Sequence, residues 1–283
     1  MSEHQTLSAE VRFLIDFNVQ NVPALLGLDV PDVAAAAMFD VPAGALSAYI
    51  REIEDAVQET AAELLGDPLL ARALAGWSLP QGATVLAIGD SITTYRYSFA
   101  RLLAAMLEQQ RGKGTVRFVN MAQSGFTSSQ GLETTFTQFL AHDPDWVFIK
   151  FGVNDAKLFG GTDARTLVTR REYRANLSAI LDAFSRYTRA QVVLLTPTPV
   201  VEDITDSFPD FQAVRLYWRN TILALFAEEV QALARDRSLP CVDLFSLLGP
   251  APNPAWYLPD GLHPNAEGHR LILREVLKVL AGL

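Results

Sequence analysis

Short apolar runs alternate with longer helical stretches from about residue 82 to the end of the chain, and this alternation constrains the fold most. The five runs lie at 84–88, 116–119, 146–149, 192–195 and 241–244. The helical candidates lie at about 96–111, 130–141, 170–188, 212–237 and 265–281. Alternation of this kind is typical of a parallel sheet with helices on both faces. We predict that residues 81–283 form a three-layer α/β/α sandwich around a five-stranded parallel sheet.

Residues 1–80 show no strand-like alternation, and we predict that they are helical. Ser8 is a suitable N-cap for a helix that begins at Ala9. The clearest helix spans about 46–65, where apolar residues recur at three- and four-residue spacing. They are Ile50, Ile53, Val57, Ala61 and Leu64. This N-terminal extension is interpreted as a lid over a site, a dimerisation face that would make a homo-oligomer, or a packing element.

Charge and composition exclude several classes of partner. The net charge of −9 disfavours a nucleic-acid partner, because phosphate binding needs clustered lysine and arginine. Cys241 is the only cysteine and the four histidines show no zinc-ligand spacing, so we expect no internal disulfide, no metal and no cofactor. The first residues lack a signal-peptide pattern, and no apolar stretch approaches the ~20 residues of a membrane span. We expect no membrane-spanning segment and a cytoplasmic location.

Four short motifs place chemically useful residues after predicted strands or before the last helix. Ser91 follows the first strand, at a strand-to-helix turn that can expose its hydroxyl. Gly125 follows the second strand and Asn154 the third, where a backbone N–H and a side-chain amide could hold an oxyanion. Asp260 and His263 are three residues apart, so a carboxylate–imidazole hydrogen bond is sterically reasonable. Each residue alone also has an ordinary explanation as a helix cap, a turn former or a loop histidine.

Taken together, the motifs resemble the SGNH subgroup of the GDSL hydrolases, named for serine, glycine, asparagine and histidine in four sequence blocks. The blocks occur in the family's order: Ser91 in Gly-Asp-Ser, Gly125 in an Asn-…-Ser-Gly block, Asn154 in Gly-Val-Asn-Asp, and His263 with Asp260 in Asp-Gly-Leu-His-Pro. The resemblance covers about residues 84–280. One departure is Ile92, which stands where leucine is usual and is a conservative apolar replacement.

The resemblance implies a flavodoxin-like SGNH fold and a serine hydrolase mechanism. Ser91 would be the nucleophile, His263 the base and Asp260 the residue that orients the histidine. The backbone N–H groups of Ser91 and Gly125 and the Asn154 side chain would form the oxyanion hole. We predict a carboxylic ester hydrolase for short-acyl substrates, such as acetyl esters of carbohydrates or small metabolites. An acyltransferase, a thioesterase and a non-catalytic binding protein with the same fold remain as alternatives.

Several side chains beside the motifs have less specific roles. Phe126, Trp256 and Tyr257 flank the predicted site and either line a substrate pocket or pack onto the sheet. Lys150 ends the third strand, where it could pair with an acid or reach toward substrate. We favour the more ordinary arrangement, in which its ammonium group extends to solvent. Asp155 is predicted to support its loop by hydrogen bonding.

Overall fold

The sheet consists of five parallel strands that coincide with the five apolar runs. The computed structural model describes residues 7–17 and 31–282. The strands are β1 (Thr84–Gly89), β2 (Arg117–Asn120), β3 (Trp146–Lys150), β5 (Gln191–Leu195) and β7 (Cys241–Val242), and a separate antiparallel pair is formed by β4 (Leu158–Phe159) and β6 (Leu216–Tyr217). The spatial order β2-β1-β3-β5-β7 is the flavodoxin-like order of five parallel strands. The predicted five-stranded parallel sheet is confirmed.

Helices cover both faces of this sheet. In chain order, the helices of the described residues are α1 (Ala9–Phe17), α2 (Asp32–Met38), α3 (Ala43–Leu65), α4 (Pro68–Gly76), α5 (Ser91–Thr94), α6 (Phe99–Arg111), α7 (Ser128–Thr137), α8 (Arg170–Tyr187), α9 (Glu202–Thr205), α10 (Pro209–Ala213), α11 (Asn220–Arg237), α12 (Leu244–Leu248) and α13 (Ala266–Ala281), with single 3₁₀ turns at Phe139–His142 and Pro254–Trp256. Alternate side chains of β1 point to opposite faces of the sheet and pack with different helices. Val85 and Ala87 pack with α3, α4, α6 and α13, whereas Leu86 and Ile88 pack with α8 and α11.

The described part of the N-terminal extension consists of the four helices α1–α4 and short connections between them, and it contains no strand. The Val11 N–H bonds the Ser8 hydroxyl at 3.3 Å, so Ser8 caps α1. Helices α3 and α4 bury apolar side chains in the same cluster as α6 and α13, whereas α1 and α2 share a smaller cluster around Ile15 and Leu46. The remaining parts of the predicted extension, 1–6 and 18–30, lie outside the described residues. No helix within residues 7–17 and 31–282 combines the length and the apolar character that crossing a bilayer requires.

The predicted helix over 212–237 is wrong at its N-terminal end. Helix α10 ends at Ala213, α11 begins at Asn220, and β6 lies between them. This segment is extended because β6 pairs with β4 and because the buried Trp218 donates its indole N–H to the Val153 carbonyl at 2.9 Å. Tertiary contacts therefore override a helical periodicity that continues through the segment.

Candidate active site

Ser91 lies at the carboxyl end of β1, where it begins the short helix α5. Asp90 caps this helix, and its carboxylate accepts the Ile92 N–H at 3.1 Å. Gly89 fits here because a Cβ at this position would overlap the carbonyl oxygen of Lys150 on the neighbouring strand. The turn is therefore packed tightly against β3, and it presents the hydroxyl of the half-buried Ser91 at the edge of the sheet.

Ser91, His263 and Asp260 form one continuous chain of hydrogen bonds. The Ser91 Oγ lies 2.8 Å from His263 Nε2, and His263 Nδ1 lies 2.5 Å from Asp260 Oδ2. A carboxylate can only accept hydrogen bonds, so the His263 Nδ1 must carry the proton that is shared with Asp260. The other nitrogen of the neutral ring, Nε2, then accepts a hydrogen bond from the Ser91 hydroxyl. The His263 side chain is 6% exposed. Residues 172 positions apart are thus arranged so that a proton can pass from the hydroxyl to the ring.

A compact turn holds Asp260 in place to receive the histidine. The second carboxylate oxygen, Oδ1, accepts the backbone N–H groups of Leu262 at 2.9 Å and of His263 at 3.0 Å. Burial opposes ionisation, but the neighbouring imidazole and these hydrogen bonds hold the pKa of Asp260 below its ordinary value. Gly261 has φ +68°, and a Cβ there would lie 2.7 Å from the Ile204 Cβ, so this turn requires glycine.

The two other motif residues lie on loops that contact each other. The buried Asn154 donates its side-chain amide to the Phe126 carbonyl at 3.0 Å, which leaves a second hydrogen on the same nitrogen. Gly125, directly before Phe126, has φ +79°. Among the described residues, the backbone N–H groups of Ser91 and Gly125 donate to no protein acceptor. Three donors are therefore available on the loops that follow β1, β2 and β3.

Sequence comparison shows the family of the chain. The profile of the GDSL-like lipase/acylhydrolase family matches residues 87–271, which include all of the motif residues. The chain belongs to this family. The prediction of an ester hydrolase is thereby confirmed at the level of the enzyme class.

Individual relatives cover about two thirds of the chain. A GDSL esterase/lipase of Arabidopsis thaliana is 29% identical over 69% of this chain and 84% of its own length. The human isoamyl acetate-hydrolyzing esterase 1 homolog is 24% identical over 66% of this chain and 77% of its own. The crystal structure of Axe2, an acetylxylan esterase from Geobacillus stearothermophilus, superposes with a TM-score of 0.56 at 22% identity, covering 71% and 95% of the two chains. The last similarity shows that the fold is shared.

A buried ion pair lies beneath the turn that carries Ser91. The Lys150 ammonium contacts both carboxylate oxygens of Asp90 at 3.0 Å, and the two side chains are 0% and 1% exposed. Burial lowers the pKa of Lys150, and the Asp90 carboxylate opposes that shift. The prediction that the Lys150 ammonium group extends to solvent is wrong, because β3 lies in the centre of the sheet and is covered on both faces. The parallel register, which sets Gly89 beside Lys150, is the signal that could have revealed the pair.

The loop after β3 is tied to the start of α7 through Asp155. Its carboxylate accepts the backbone N–H of Ser128 at 2.9 Å and the Ser128 hydroxyl at 2.5 Å. Burial raises the pKa of Asp155 to about 6 even though these hydrogen bonds oppose the shift. The predicted supporting role of Asp155 is confirmed. No group of three or more histidine, cysteine or acidic side chains is arranged to hold a metal ion within the part of the chain that the structure describes.

The three flanking aromatic residues occupy different surroundings. Tyr257 is buried and donates its hydroxyl to the Pro199 carbonyl at 2.8 Å, so its polar end is used in packing. Phe126 and Trp256 are half-buried. A pocket-lining role for these residues stays a prediction.

Two aromatic residues of α1 contact the site, and neither was among the predicted site residues. The ring centroids of Phe17 and Phe13 lie 4.6 and 5.9 Å from that of His263. Phe17 also stacks on Tyr95, at 4.8 Å and an interplanar angle of 16°. No local pattern relates residue 17 to residue 263, so this contact could not be read from the sequence.

Proposed function

We propose that the protein hydrolyses short-acyl carboxylic esters through an acyl-enzyme on Ser91. The observation that carries the proposal is the hydrogen-bonded series from the Ser91 hydroxyl through His263 to Asp260. In this geometry the imidazole can accept the serine proton as the oxygen attacks, while the carboxylate stabilises the imidazolium that forms.

The first half of the proposed reaction transfers the acyl group to the enzyme. The Ser91 Oγ forms a bond to the ester carbonyl carbon, and its proton moves to His263 Nε2. The negative charge on the carbonyl oxygen is held by the N–H groups of Ser91 and Gly125 and by the Asn154 amide. The tetrahedral intermediate then expels the alcohol oxygen, which takes the proton from His263 and leaves as the free alcohol.

The second half regenerates the serine with water. A water molecule gives its proton to His263 Nε2 as its oxygen attacks the acyl carbon, and the same three donors hold the oxyanion. The Ser91 oxygen then leaves with that proton, and the carboxylic acid is released. The mechanism consumes one ester and one water and requires no metal or organic cofactor.

The names of two of the relatives support a short acyl group, acetyl above all. The names of the human homolog and of the Geobacillus enzyme both refer to acetate esters, although their alcohols differ, being an apolar alcohol in one and a polysaccharide in the other. We therefore propose acetyl esters of small metabolites or carbohydrates as the substrate class.

Acyl-chain selectivity tests this class directly. With p-nitrophenyl esters of two to twelve acyl carbons, kcat/KM should be highest at two to four carbons and should fall for longer chains. Sugar acetates and acyl thioesters in the same series compare alcohol and thiol leaving groups. A maximum at eight or more carbons would contradict the short-acyl assignment, and faster cleavage of thioesters than of matched esters would favour a thioesterase.

Replacing Asn154 with alanine should slow turnover without removing it. An oxyanion donor acts mainly in the transition state, so kcat should fall by about 10²–10³ with little change in KM. Asn176→Ala is a suitable control, because that amide bonds the hydroxyls of Ser128 and Ser129 and none of the proposed catalytic groups. Equal kcat values for wild type and Asn154→Ala would remove this residue from the proposed oxyanion hole.

A further inference from the structure

The last turn of α1 is fixed to the two loops that carry Ser91 and Gly125. Arg96, which follows α5, donates its backbone N–H to the Asp16 carbonyl and its Nε to the Ile15 carbonyl, both at 3.0 Å. Ser124 donates its hydroxyl to the Phe17 carbonyl at 2.7 Å. Carbonyl groups at a helix C-terminus lack partners within the helix, and here the loops of the site supply them. Helix α1 is therefore held at the site by directed hydrogen bonds in addition to apolar contact.

The side chains that α1 directs to this site are aromatic and differ in exposure. Phe17 is 3% exposed, since it lies between the His263 imidazole and the Tyr95 ring. Phe13 packs edge-on to the same imidazole and is 43% exposed. Phe17 is therefore a buried packing partner of the His263 ring, whereas Phe13 has exposed apolar surface that a bound molecule can cover.

The reaction determines which part of an ester lies beside His263. The imidazole that accepts the serine proton later gives it to the departing alcohol oxygen, so that oxygen must come within hydrogen-bond distance of Nε2. The carbonyl oxygen is directed instead toward the donors on Ser91, Gly125 and Asn154. Groups that border the imidazole therefore border the alcohol portion of the ester.

We propose that Phe13, supported from behind by the buried Phe17, forms the apolar wall of the subsite for the alcohol group. The enzyme would thereby prefer, among the acetyl esters proposed above, those of small apolar alcohols over those of carbohydrates. This inference rests on the proposed function, because it assumes that His263 protonates the leaving alcohol. Both residues precede residue 87, so the wall is supplied by the N-terminal extension and not by the region that matches the family profile.

Alcohol selectivity at constant acyl group is the property to measure. Benzyl acetate and methyl acetate form the same acetyl-enzyme, so deacylation is common to both and kcat/KM reports the step that senses the alcohol. Covering on the order of 50 Å² of apolar surface at Phe13 corresponds to about a five- to tenfold preference. In Phe13→Ala, the ratio of kcat/KM for benzyl over methyl acetate should fall by this factor, mainly through a higher KM for the benzyl ester.

Leu14→Ala is the matched control. Leu14 is similarly exposed, at 40%, but it is rotated by about 100° around the same helix. This variant should keep the wild-type alcohol ratio, and thermal unfolding of both variants should show that α1 remains docked. In Phe13→Ala the ratio of activities on p-nitrophenyl acetate and p-nitrophenyl octanoate should also stay at its wild-type value.

Two outcomes would overturn the inference while leaving the proposed function in place. In one, Phe13→Ala keeps the wild-type ratio of kcat/KM for benzyl over methyl acetate. In the other, Phe13→Ala changes the acyl-length ratio and not the alcohol ratio, which would place the aromatic wall on the acyl side. Labelling of wild-type Ser91 by a fluorophosphonate separates these results from failure of the mechanism, because an enzyme that does not label would lack the proposed nucleophile altogether.

Discussion

Alanine in place of Ser91 is expected to reduce kcat for p-nitrophenyl acetate by about 10⁶-fold, the scale seen when the nucleophile of a serine hydrolase is removed. The substitution deletes the attacking oxygen, and neither His263 nor the oxyanion donors can replace it. The fold should persist, because within residues 7–17 and 31–282 the Ser91 hydroxyl makes one hydrogen bond, to His263, and a typical hydrogen bond contributes about 1 kcal/mol to stability.

Hydrolysis rates, covalent labelling and thermal unfolding together check this result. Wild-type protein should react rapidly with a fluorophosphonate and carry the label on Ser91, whereas Ser91→Ala should not label. Ser207→Ala is a control, since the hydroxyl of this exposed serine donates to the Asp203 and Ile204 carbonyls of its own turn. Wild-type activity in a folded Ser91→Ala preparation would show that the nucleophile has been assigned to the wrong residue.

The sheet could be predicted from the sequence because its strands are short, continuous apolar runs. Such runs are expected where both faces of a strand are buried, and every residue of β1 and β3 is buried. The same reasoning failed at residues 216–219, where apolar residues continue with helical spacing but β4 offers a strand partner and Val153 offers an acceptor for Trp218. Pairing partners of this kind exist only once the chain has folded.

The central part of the site was also predictable, because parallel topology brings the carboxyl ends of the strands to one edge. That rule places the segment after β1 near the segments after β2 and β3, and the family resemblance adds the turn with Asp260 and His263. Parallel topology does not indicate where a helix outside the sheet domain, such as α1 of the N-terminal extension, packs. Phe17 has only the pattern of a buried helical residue, and its contact with His263 depends on how α1 packs against Arg96 and Ser124.

Lys150 illustrates a further limit, since its role depends on the order of the strands. A lysine at the end of an apolar run can direct its ammonium group to solvent if its strand ends at an exposed edge. In this sheet β3 lies between β1 and β5, and its last residue is in register with Gly89. The ammonium group is therefore enclosed, and it pairs with Asp90, the acid that precedes Ser91.

Replacing Lys150 with methionine should destabilise the protein by about 3–5 kcal/mol, the usual cost of removing one partner from a buried ion pair. Methionine fills a similar volume, so the loss would arise from the charge left on Asp90 and not from a cavity. That carboxylate is 1% exposed, and of its bonds to described residues it would keep the one from the Ile92 N–H. The loss should be measured as the change in the free energy of unfolding in urea.

A second substitution separates loss of charge pairing from loss of packing. Asp90→Asn in the Lys150→Met background removes the unpaired charge but keeps an oxygen that can accept the Ile92 N–H, so most of the lost stability should return. A double variant no more stable than Lys150→Met would indicate that the lysine acts through packing alone. Because Asp90 caps the helix that Ser91 begins, Lys150→Met should also lower kcat on p-nitrophenyl acetate, and Asp90→Asn should restore part of it. Recovery of stability without recovery of kcat would mean that the ion pair itself, and not only the cap, positions the nucleophile.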